Sequence, residues 1–190
     1  MRIAVVAVQG AFIEHEDILK EMGIECIELR QKTDLSTPYD ALILPGGEST
    51  VQGKLLKELD MFDTIHDQIQ NGMPVLATCA GLILLAENLS NDTRAWFQTL
   101  PVTVKRNAYG RQLGSFHTEA DFGETGIVPM TFIRAPYIES VQPGVQILAK
   151  VDQNIVAVQY KNQIGLSFHP ELDQDRRIYD KFLQLVRNNH

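Results

Sequence analysis

One cysteine, Cys79, lies where the type and spacing of its neighbours suit nucleophilic chemistry. Residues 74–77 (PVLA) favour a buried strand and 82–85 (LILL) an apolar helix, so Cys79 falls in the turn between them. Ala77 and Gly81, two residues before and after it, are small, as in a nucleophile elbow. A thiol at a helix N-terminus gains thiolate character from the helix dipole. The alternative is that Cys79 is a small buried hydrophobic residue, the usual setting of free cysteine.

His169 and Glu171 supply the two further side chains that would activate such a thiol. They follow the strand-like run 163–168 and flank Pro170, whose ring restricts its own backbone and that of His169. Residues two apart in an extended segment point to the same face, so we expect the carboxylate to reach the imidazole. A carboxylate that orients a histidine, which in turn activates a thiol, is the logic of a catalytic triad. The alternative for His169 is an ordinary surface or core histidine.

Two glycines and two arginines could complete a site around a carbonyl substrate. Gly46 and Gly47 follow the apolar run 41–44, and glycine lets backbone N–H groups turn toward a ligand, as in an oxyanion hole. Arg106 and Arg134 each follow a strand-like run rather than a charge-rich face, and a guanidinium group suits a substrate carboxylate. The alternatives are a plain turn for the glycines and surface salt bridges for the arginines.

Composition and charge exclude several classes of protein. The chain has 190 residues, 44% of them hydrophobic and 22% charged, which is ordinary for a globular protein and not for a disordered or fibrous one. The formal charge is −7 with no cluster of Lys and Arg, so we expect neither nucleic acid nor a membrane surface as partner. No apolar run approaches the roughly 20 residues of a membrane span. The five histidines are scattered and no C-x-x-C occurs, which disfavours metal binding.

The start of the chain and the second cysteine bear on location. The segment MRIAVVAVQG is predicted to be a strand rather than a signal peptide, so we expect a cytoplasmic protein with reduced thiols. Cys26 lies in IECIEL, without the setting of Cys79, and is predicted to be chemically inert.

The elements that would position these residues follow an α/β pattern. Apolar runs at 2–8, 41–44 and 74–77 predict strands buried on both faces, 24–29 predicts an edge strand, and helical periodicity covers 14–22 and 54–70. We therefore predict an open, mostly parallel central sheet flanked by helices. Short runs in the second half predict added antiparallel strands before a final helix at 174–187; they are 100–106, 113–117, 131–133, 145–150, 155–160 and 163–168. A single domain over 1–190 accounts for the whole pattern.

Six motifs spread along the chain carry a resemblance to a known family. They are 9–15 (QGAFIEH), 45–50 (PGGEST), 78–82 (TCAGL), 106–112 (RNAYGRQ), 132–136 (FIRAP) and 167–172 (SFHPEL). With the cysteine elbow followed by His-Pro-Glu, the chain resembles the class I glutamine amidotransferases, which have a flavodoxin-like sheet. More narrowly, the Gly-Glu-Ser-Thr loop and the two arginine motifs are similar to those of the glutaminase subunits of pyridoxal 5′-phosphate synthases.

The resemblance implies a reaction and a set of roles. Cys79 would attack the side-chain amide of L-glutamine to give a γ-glutamyl thioester and ammonia. His169 would act as general base and then general acid, with Glu171 holding its tautomer. Backbone N–H groups of Gly47 and Ala80 would stabilise the oxyanion, with Gln9 and Gly10 adjacent. Glutamine would be held by six residues: Gly47, Glu48, Ser49, Arg106, Ile133 and Arg134.

The same resemblance implies a partner and no cofactor. Ammonia would pass, within a hetero-oligomer, to a synthase subunit that is a (β/α)8 barrel and builds the pyridine ring.

Two alternatives stay open. A different thiol enzyme on a related scaffold, such as a peptidase or deglycase, would share the elbow but not the arginine motifs, and would ignore free glutamine. A catalytically silent binding subunit would not need Cys79, His169 and Glu171 together.

Overall fold

The protein is built from helices and strands that alternate in the first half and from strands almost alone in the second. In a computed structural model that describes residues 1–109 and 114–190, the elements are as follows: β1 (Arg2–Val6), α1 (Phe12–Glu21), β2 (Glu25–Leu29), β3 (Ala41–Leu44), α2 (Ser49–Glu58), α3 (Phe62–Gln70), β4 (Val75–Thr78), α4 (Ala80–Leu85), β5 (Ala86–Leu89), β6 (Leu100–Lys105), β7 (Ser115–Asp121), β8 (Ile127–Ile133), β9 (Tyr137–Val141), β10 (Gln146–Val151), β11 (Asn154–Tyr160), β12 (Gln163–Leu166) and α5 (Arg177–Asn188).

The main sheet combines a parallel half with an antiparallel extension. Its order is β2-β1-β3-β4-β12-β11-β9-β6-β5, with β10 also paired to β11, and the pairs from β2 to β12 are all parallel. Strands β3, β4 and β12 are buried throughout, as expected when helices cover both faces. β7 and β8 form a separate antiparallel hairpin. The predicted α/β class, the edge position of β2 and the added antiparallel strands are confirmed.

Apolar side chains pack on both faces of the sheet. One cluster joins the sheet to α1, α5 and the β7–β8 hairpin, and the other joins it to α2, α3 and α4. The segments after β3, β4 and β12 leave the sheet at the same edge, because these three neighbouring strands run in the same direction. This edge is where sites form in open α/β sheets. No helix in 1–109 or 114–190 has the length and apolar character needed to cross a membrane.

The predicted helix over 54–70 is wrong, because the structure has two helices there. α2 begins earlier, at Ser49, and ends at Glu58; Asp60 then adopts a left-handed backbone with φ of 55°. The Met61 N–H donates to the Leu56 carbonyl and the Asp60 N–H to the Lys57 carbonyl, the paired bonds of a Schellman motif. The apolar spacing continues across the break since Met61 is itself buried. Periodicity alone therefore did not reveal the end of α2.

Two short strands, β5 and β9, were not predicted. β5 follows directly on α4, and its sequence AENL contains no β-branched residue. β9 (YIESV) pairs with β6 and touches β11 at one position, so its conformation depends on distant partners. The sheet, rather than local propensity, determines both segments.

Candidate active site

Cys79 occupies a strained turn between β4 and α4. Its backbone has φ of 49° and ψ of −101°, a conformation that costs free energy in a residue other than glycine. The Cys79 N–H donates to the Leu166 carbonyl at 2.8 Å, which ties the turn to β12. A β-carbon at Gly81 would lie 2.9 Å from the Leu44 carbonyl carbon and closer still to its oxygen, so α4 can begin here only with glycine at this position. These contacts hold the sulfur at the edge of the sheet.

His169 and Glu171 meet through a helical turn rather than an extended segment, which corrects the predicted local geometry. Pro170–Leu172 form one 3-10 turn, with Pro170 in its first position and His169 immediately before it. The turn brings His169 Nδ1 to 2.5 Å from Glu171 Oε1, and both side chains are buried. The His169 N–H donates to the Thr131 carbonyl at 2.8 Å, which anchors the turn to β8. His169 itself has φ of −113° and ψ of 86°, which is not the predicted extended backbone, and the pairing arises from the turn.

The charges of this pair favour a protonated imidazole beside a carboxylate. Burial alone would lower the pKa of His169, but hydrogen bonds to Cys79 and Glu171 and the charges of those groups outweigh it and raise the pKa to about 10. Burial would likewise raise the pKa of Glu171, yet its neighbours His15 and His169, the latter also through a hydrogen bond, leave it lowered. His169 can therefore hold a proton next to Cys79 at neutral pH.

A cavity of about 1070 Å³ opens in front of Cys79 and His169. All six residues predicted to hold glutamine line it, and so does Gln9. The lining includes residues that the sequence reasoning did not single out for this purpose: Ala11, Ile83, Asn107, Tyr109, Gly114 and Ser115. Gly10 and Ala80 are not among the described lining residues, although Ala80 directly follows Cys79 as the first residue of α4. Glu171 lies behind His169, away from the cavity.

The loop after β3 packs tightly against the imidazole. A β-carbon at Gly46 would lie 3.0 Å from His169 Nδ1 and closer still to Cε1, so glycine alone fits there. Gly47 has φ of 150°, and the next backbone N–H, that of Glu48, donates to the Gln9 side-chain oxygen at 2.9 Å. The buried Gln52 amide supports the loop from α2 through the Gln9 and Pro45 carbonyls. The sequence analysis missed Gln52 because nothing in the neighbouring residues distinguishes it from a surface glutamine.

Arg106 is held by residues that sequence reasoning missed. Its Nη1 lies 2.5 Å from Asp92 Oδ2, and Asn91 bonds both the N–H and the carbonyl of Arg106. Hydrogen bonds from Arg94, and then from Arg106, hold the pKa of Asp92 well below its usual range. Nε of Arg106 is buried without a hydrogen-bond partner among the described residues. Asp92 and Asn91 thus fix Arg106 at the cavity wall, and its Nε–H has no described acceptor.

The second arginine motif sits opposite Cys79. The Ile133 carbonyl lies 3.9 Å from the Cys79 sulfur. Arg134 has a left-handed backbone, with φ of 44°, and its N–H donates to the Gly114 carbonyl. The end of β8 is therefore bent sharply beside the cysteine. Residues 110–112 of the motif 106–112 lie outside the described residues. Within 1–109 and 114–190, no group of three His, Cys, Asp or Glu side chains is placed to hold a metal ion.

The chain is similar to glutamine amidotransferases over almost all of its length. The model of the SNO glutamine amidotransferase family matches residues 5–188. "Pyridoxal 5'-phosphate synthase subunit PdxT" of Desulfitobacterium hafniense is 68% identical over 186 residues, covering 98% of this chain and 94% of that protein. The protein of the same name from Streptococcus pneumoniae is 48% identical over 190 residues, covering 98% of each.

Solved structures agree with these sequence relatives. A crystal structure titled as a glutamine amidotransferase superposes with a TM-score of 0.92 at 38% identity, covering 97% of this chain and 98% of that one. PurLQS from Thermotoga maritima shares the fold, with a TM-score of 0.72 at 16% identity over 97% of this chain and 98% of the matched chain. Sequence and structure together show that the chain belongs to the SNO glutamine amidotransferase family.

Proposed function

We propose that this chain is the glutaminase subunit of a pyridoxal 5′-phosphate synthase, formed by a single domain over 1–190. The observation that carries the proposal is the buried Cys79–His169–Glu171 arrangement at the floor of a cavity lined by two arginines. Membership of a glutamine amidotransferase family supports transfer of the amide nitrogen of glutamine as the reaction class. The relatives named as pyridoxal 5′-phosphate synthase subunits support a synthase as the acceptor of the ammonia.

The proposed reaction moves two protons through His169, one in each half-reaction. The Cys79 thiol gives its proton to His169 Nε2, and the sulfur attacks the side-chain amide carbon of L-glutamine. Backbone N–H groups of Gly47 and Ala80 would stabilise the oxyanion. His169 then protonates the amide nitrogen, which leaves as ammonia, and a γ-glutamyl thioester remains. Water, deprotonated by His169, attacks the thioester to give glutamate, and His169 returns that proton to the leaving Cys79 sulfur, while Glu171 keeps the imidazole oriented.

Charge complementarity supports an amino-acid substrate. Arg106, whose buried Nε has no partner among the described residues, and Arg134 offer guanidinium groups to the α-carboxylate. Glu48, on the opposite loop, offers a carboxylate to the α-ammonium group, and Ser49 a hydroxyl. Gly47 and the Ile133 backbone would flank the carboxamide near Cys79. These six residues present both signs of charge, as a zwitterion requires.

The proposal includes a partner and a location. Ammonia would pass to a synthase subunit within a hetero-oligomer, and that subunit, expected to be a (β/α)8 barrel, would incorporate it. Both cysteines are free thiols, and the reaction needs Cys79 reduced, which suits the cytoplasm.

The test is ammonia release from L-glutamine, with and without the pyridoxal 5′-phosphate synthase partner subunit of Desulfitobacterium hafniense. We expect release that rises with the partner, is lost in Cys79→Ala and is unchanged in Cys26→Ala. Cys26→Ala is the matched control, because burial raises the pKa of that thiol to about 12 and it lies away from the cavity. No release from the native chain with the partner present would sink the proposal, as would full activity in Cys79→Ala.

A further inference from the structure

A second histidine, His15, is buried behind the carboxylate of Glu171. It lies on α1, is fully inaccessible to solvent, and its Nε2 is 3.6 Å from Glu171 Oε2. That distance is just beyond a hydrogen bond, so Oε2 is buried without a hydrogen-bond partner among the described residues. Since Oε1 already binds His169, Oε2 is the free side of the carboxylate. A buried unpaired carboxylate oxygen facing an imidazole nitrogen calls for a donor at that nitrogen.

Tyr179 determines which nitrogen of His15 carries the proton. Its hydroxyl lies 2.7 Å from His15 Nδ1. Burial, and next the charge of Glu171, raise the pKa of Tyr179 well above its ordinary value, so the hydroxyl keeps its proton. The hydroxyl has no other acceptor among its described contacts, and the Glu171 carboxylate favours an N–H at the nitrogen that faces it, so Tyr179 donates to Nδ1 and the imidazole proton lies on Nε2. The opposite tautomer would set a lone pair of Nε2 against the carboxylate.

The groups around His15 favour its neutral form. Burial lowers its pKa, opposed by the charge of Glu171, while His169 adds repulsion and Glu14, on the same helix, a further attraction. Thr78, at the end of β4, places its hydroxyl oxygen 3.4 Å from Nε2, a second neutral partner. A neutral imidazole donates a hydrogen bond to the carboxylate without taking its proton, so the negative charge of Glu171 stays available to His169.

We propose that His15 is a positioning residue for the reaction: its Nε2–H, fixed in that tautomer by the Tyr179 hydroxyl, holds the second carboxylate oxygen of Glu171 and so orients His169 toward Cys79. This inference rests on the proposed function for its chemistry. At 3.6 Å the Nε2–H bond points its positive end at the Oε2 charge, so the interaction is present in the free protein. His15 and Tyr179 belong to α1 and α5, so two helices far apart in the sequence supply this chain of contacts behind Glu171.

The test compares side chains that keep or lose the donor, in a Cys26→Ala background. His15→Leu removes it, and His15→Gln restores an amide N–H near the Nε2 position. Tyr179→Phe removes only the hydroxyl. Tyr39→Phe is the matched control, because the Tyr39 hydroxyl also makes one hydrogen bond, at 2.6 Å to Gln68. Tyr39 precedes β3, so it lies at the amino end of that strand and away from the site at the carboxyl ends.

Two readouts separate positioning from packing. One is ammonia release with the synthase subunit, and the other is the pH profile of Cys79 alkylation by iodoacetamide, which needs neither glutamine nor partner. We expect His15→Leu to lower ammonia release about tenfold to a hundredfold, Tyr179→Phe about fivefold, and His15→Gln to recover most of the loss. The acid limb of alkylation moves to higher pH in His15→Leu and Tyr179→Phe, since Glu171 loses a donor that stabilises its charge.

Each possible result of these measurements either supports or overturns the proposal. Folded His15→Leu and Tyr179→Phe proteins, judged by thermal melting, with native release and a native acid limb overturn the proposal. If His15→Leu does not fold, Tyr179→Phe decides: the same two readouts as Tyr39→Phe overturn the proposal, and a shifted acid limb supports it. If the native chain releases no ammonia while the alkylation profile still shifts in the variants, the proposed function fails and the positioning role of His15 stands.

Discussion

Replacing Gly46 with alanine tests whether the imidazole of His169 must stand where the structure holds it. The backbone at Gly46 does not have a positive φ, so alanine introduces no backbone strain there. Its β-carbon would lie 3.0 Å from His169 Nδ1 and closer to Cε1, whereas such atoms prefer separations of about 3.5–4.0 Å. The imidazole therefore has to move by roughly 1 Å.

That displacement has a cost that can be worked out. His169 cannot retreat freely because Glu171 binds Nδ1 at 2.5 Å and both residues are buried. A misplacement of about 1 Å in a catalytic group costs about 100-fold in rate, equivalent to about 2.7 kcal/mol in the activation barrier. The overpacked protein should lose about 1–3 kcal/mol in its free energy of unfolding. Glutamine affinity should change little, since the groups that would hold its charged end are untouched.

The assay is kcat and KM for ammonia release with the synthase subunit, alongside thermal melting. Gly53→Ala is the matched control, because its β-carbon would lie 2.5 Å from Trp96 Cδ2, an equally tight contact outside the cavity. Native kcat in a folded Gly46→Ala protein would refute the reasoning. An equal loss of kcat in Gly53→Ala would also refute it, because tight packing in general would then be the cause.

Three further predictions concern charge. Asp92→Asn should raise KM for glutamine about fivefold with less effect on kcat, because Asp92 holds the Arg106 guanidinium; steady-state ammonia release measures both. The pKa of His169 is raised to about 10, so its protonated form stabilises the fold. This contribution is complete below the ordinary pKa of 6.5 and is lost as the pH rises toward 10. In urea unfolding, the amount by which the native protein exceeds His169→Asn in free energy of unfolding should therefore shrink over that interval. Glu171, with its lowered pKa, contributes above 4.5 and loses its contribution in acid, so the native advantage over Glu171→Gln should vanish there.

The Asp92 prediction has a control within the chain. Asp175 binds Arg177, two residues on, through the same atoms with which Asp92 binds Arg94, but its described contacts do not include Arg106. Asp175→Asn should leave KM unchanged, and an equal KM change in the two variants would contradict the role given to Asp92. For the pH series, a native advantage over His169→Asn that grows toward alkaline pH would contradict the assigned charge state.

Local sequence patterns predicted much of the framework and of the site. The buried runs that became β1, β3 and β4 needed only the absence of polar alternation, and Cys79 stood out because small residues flank it between a strand and a helix. The carboxyl ends of parallel strands share one edge, so the sequence also predicted that Cys79 and His169 lie near each other. The helix break at Asp60 was missed, since apolar spacing continues through it.

The residue pattern alone therefore predicts most of the elements, their class of fold and the residue types at the strand ends. The contacts behind these residues become visible in the folded chain: Tyr179 meets His15, 164 positions away, and Asp92 meets Arg106 across a loop and a strand. The physical reason is range. Hydrophobic periodicity and backbone preference act over a few residues, while the partner of a buried polar atom depends on where distant segments return, and many returns fit the same pattern.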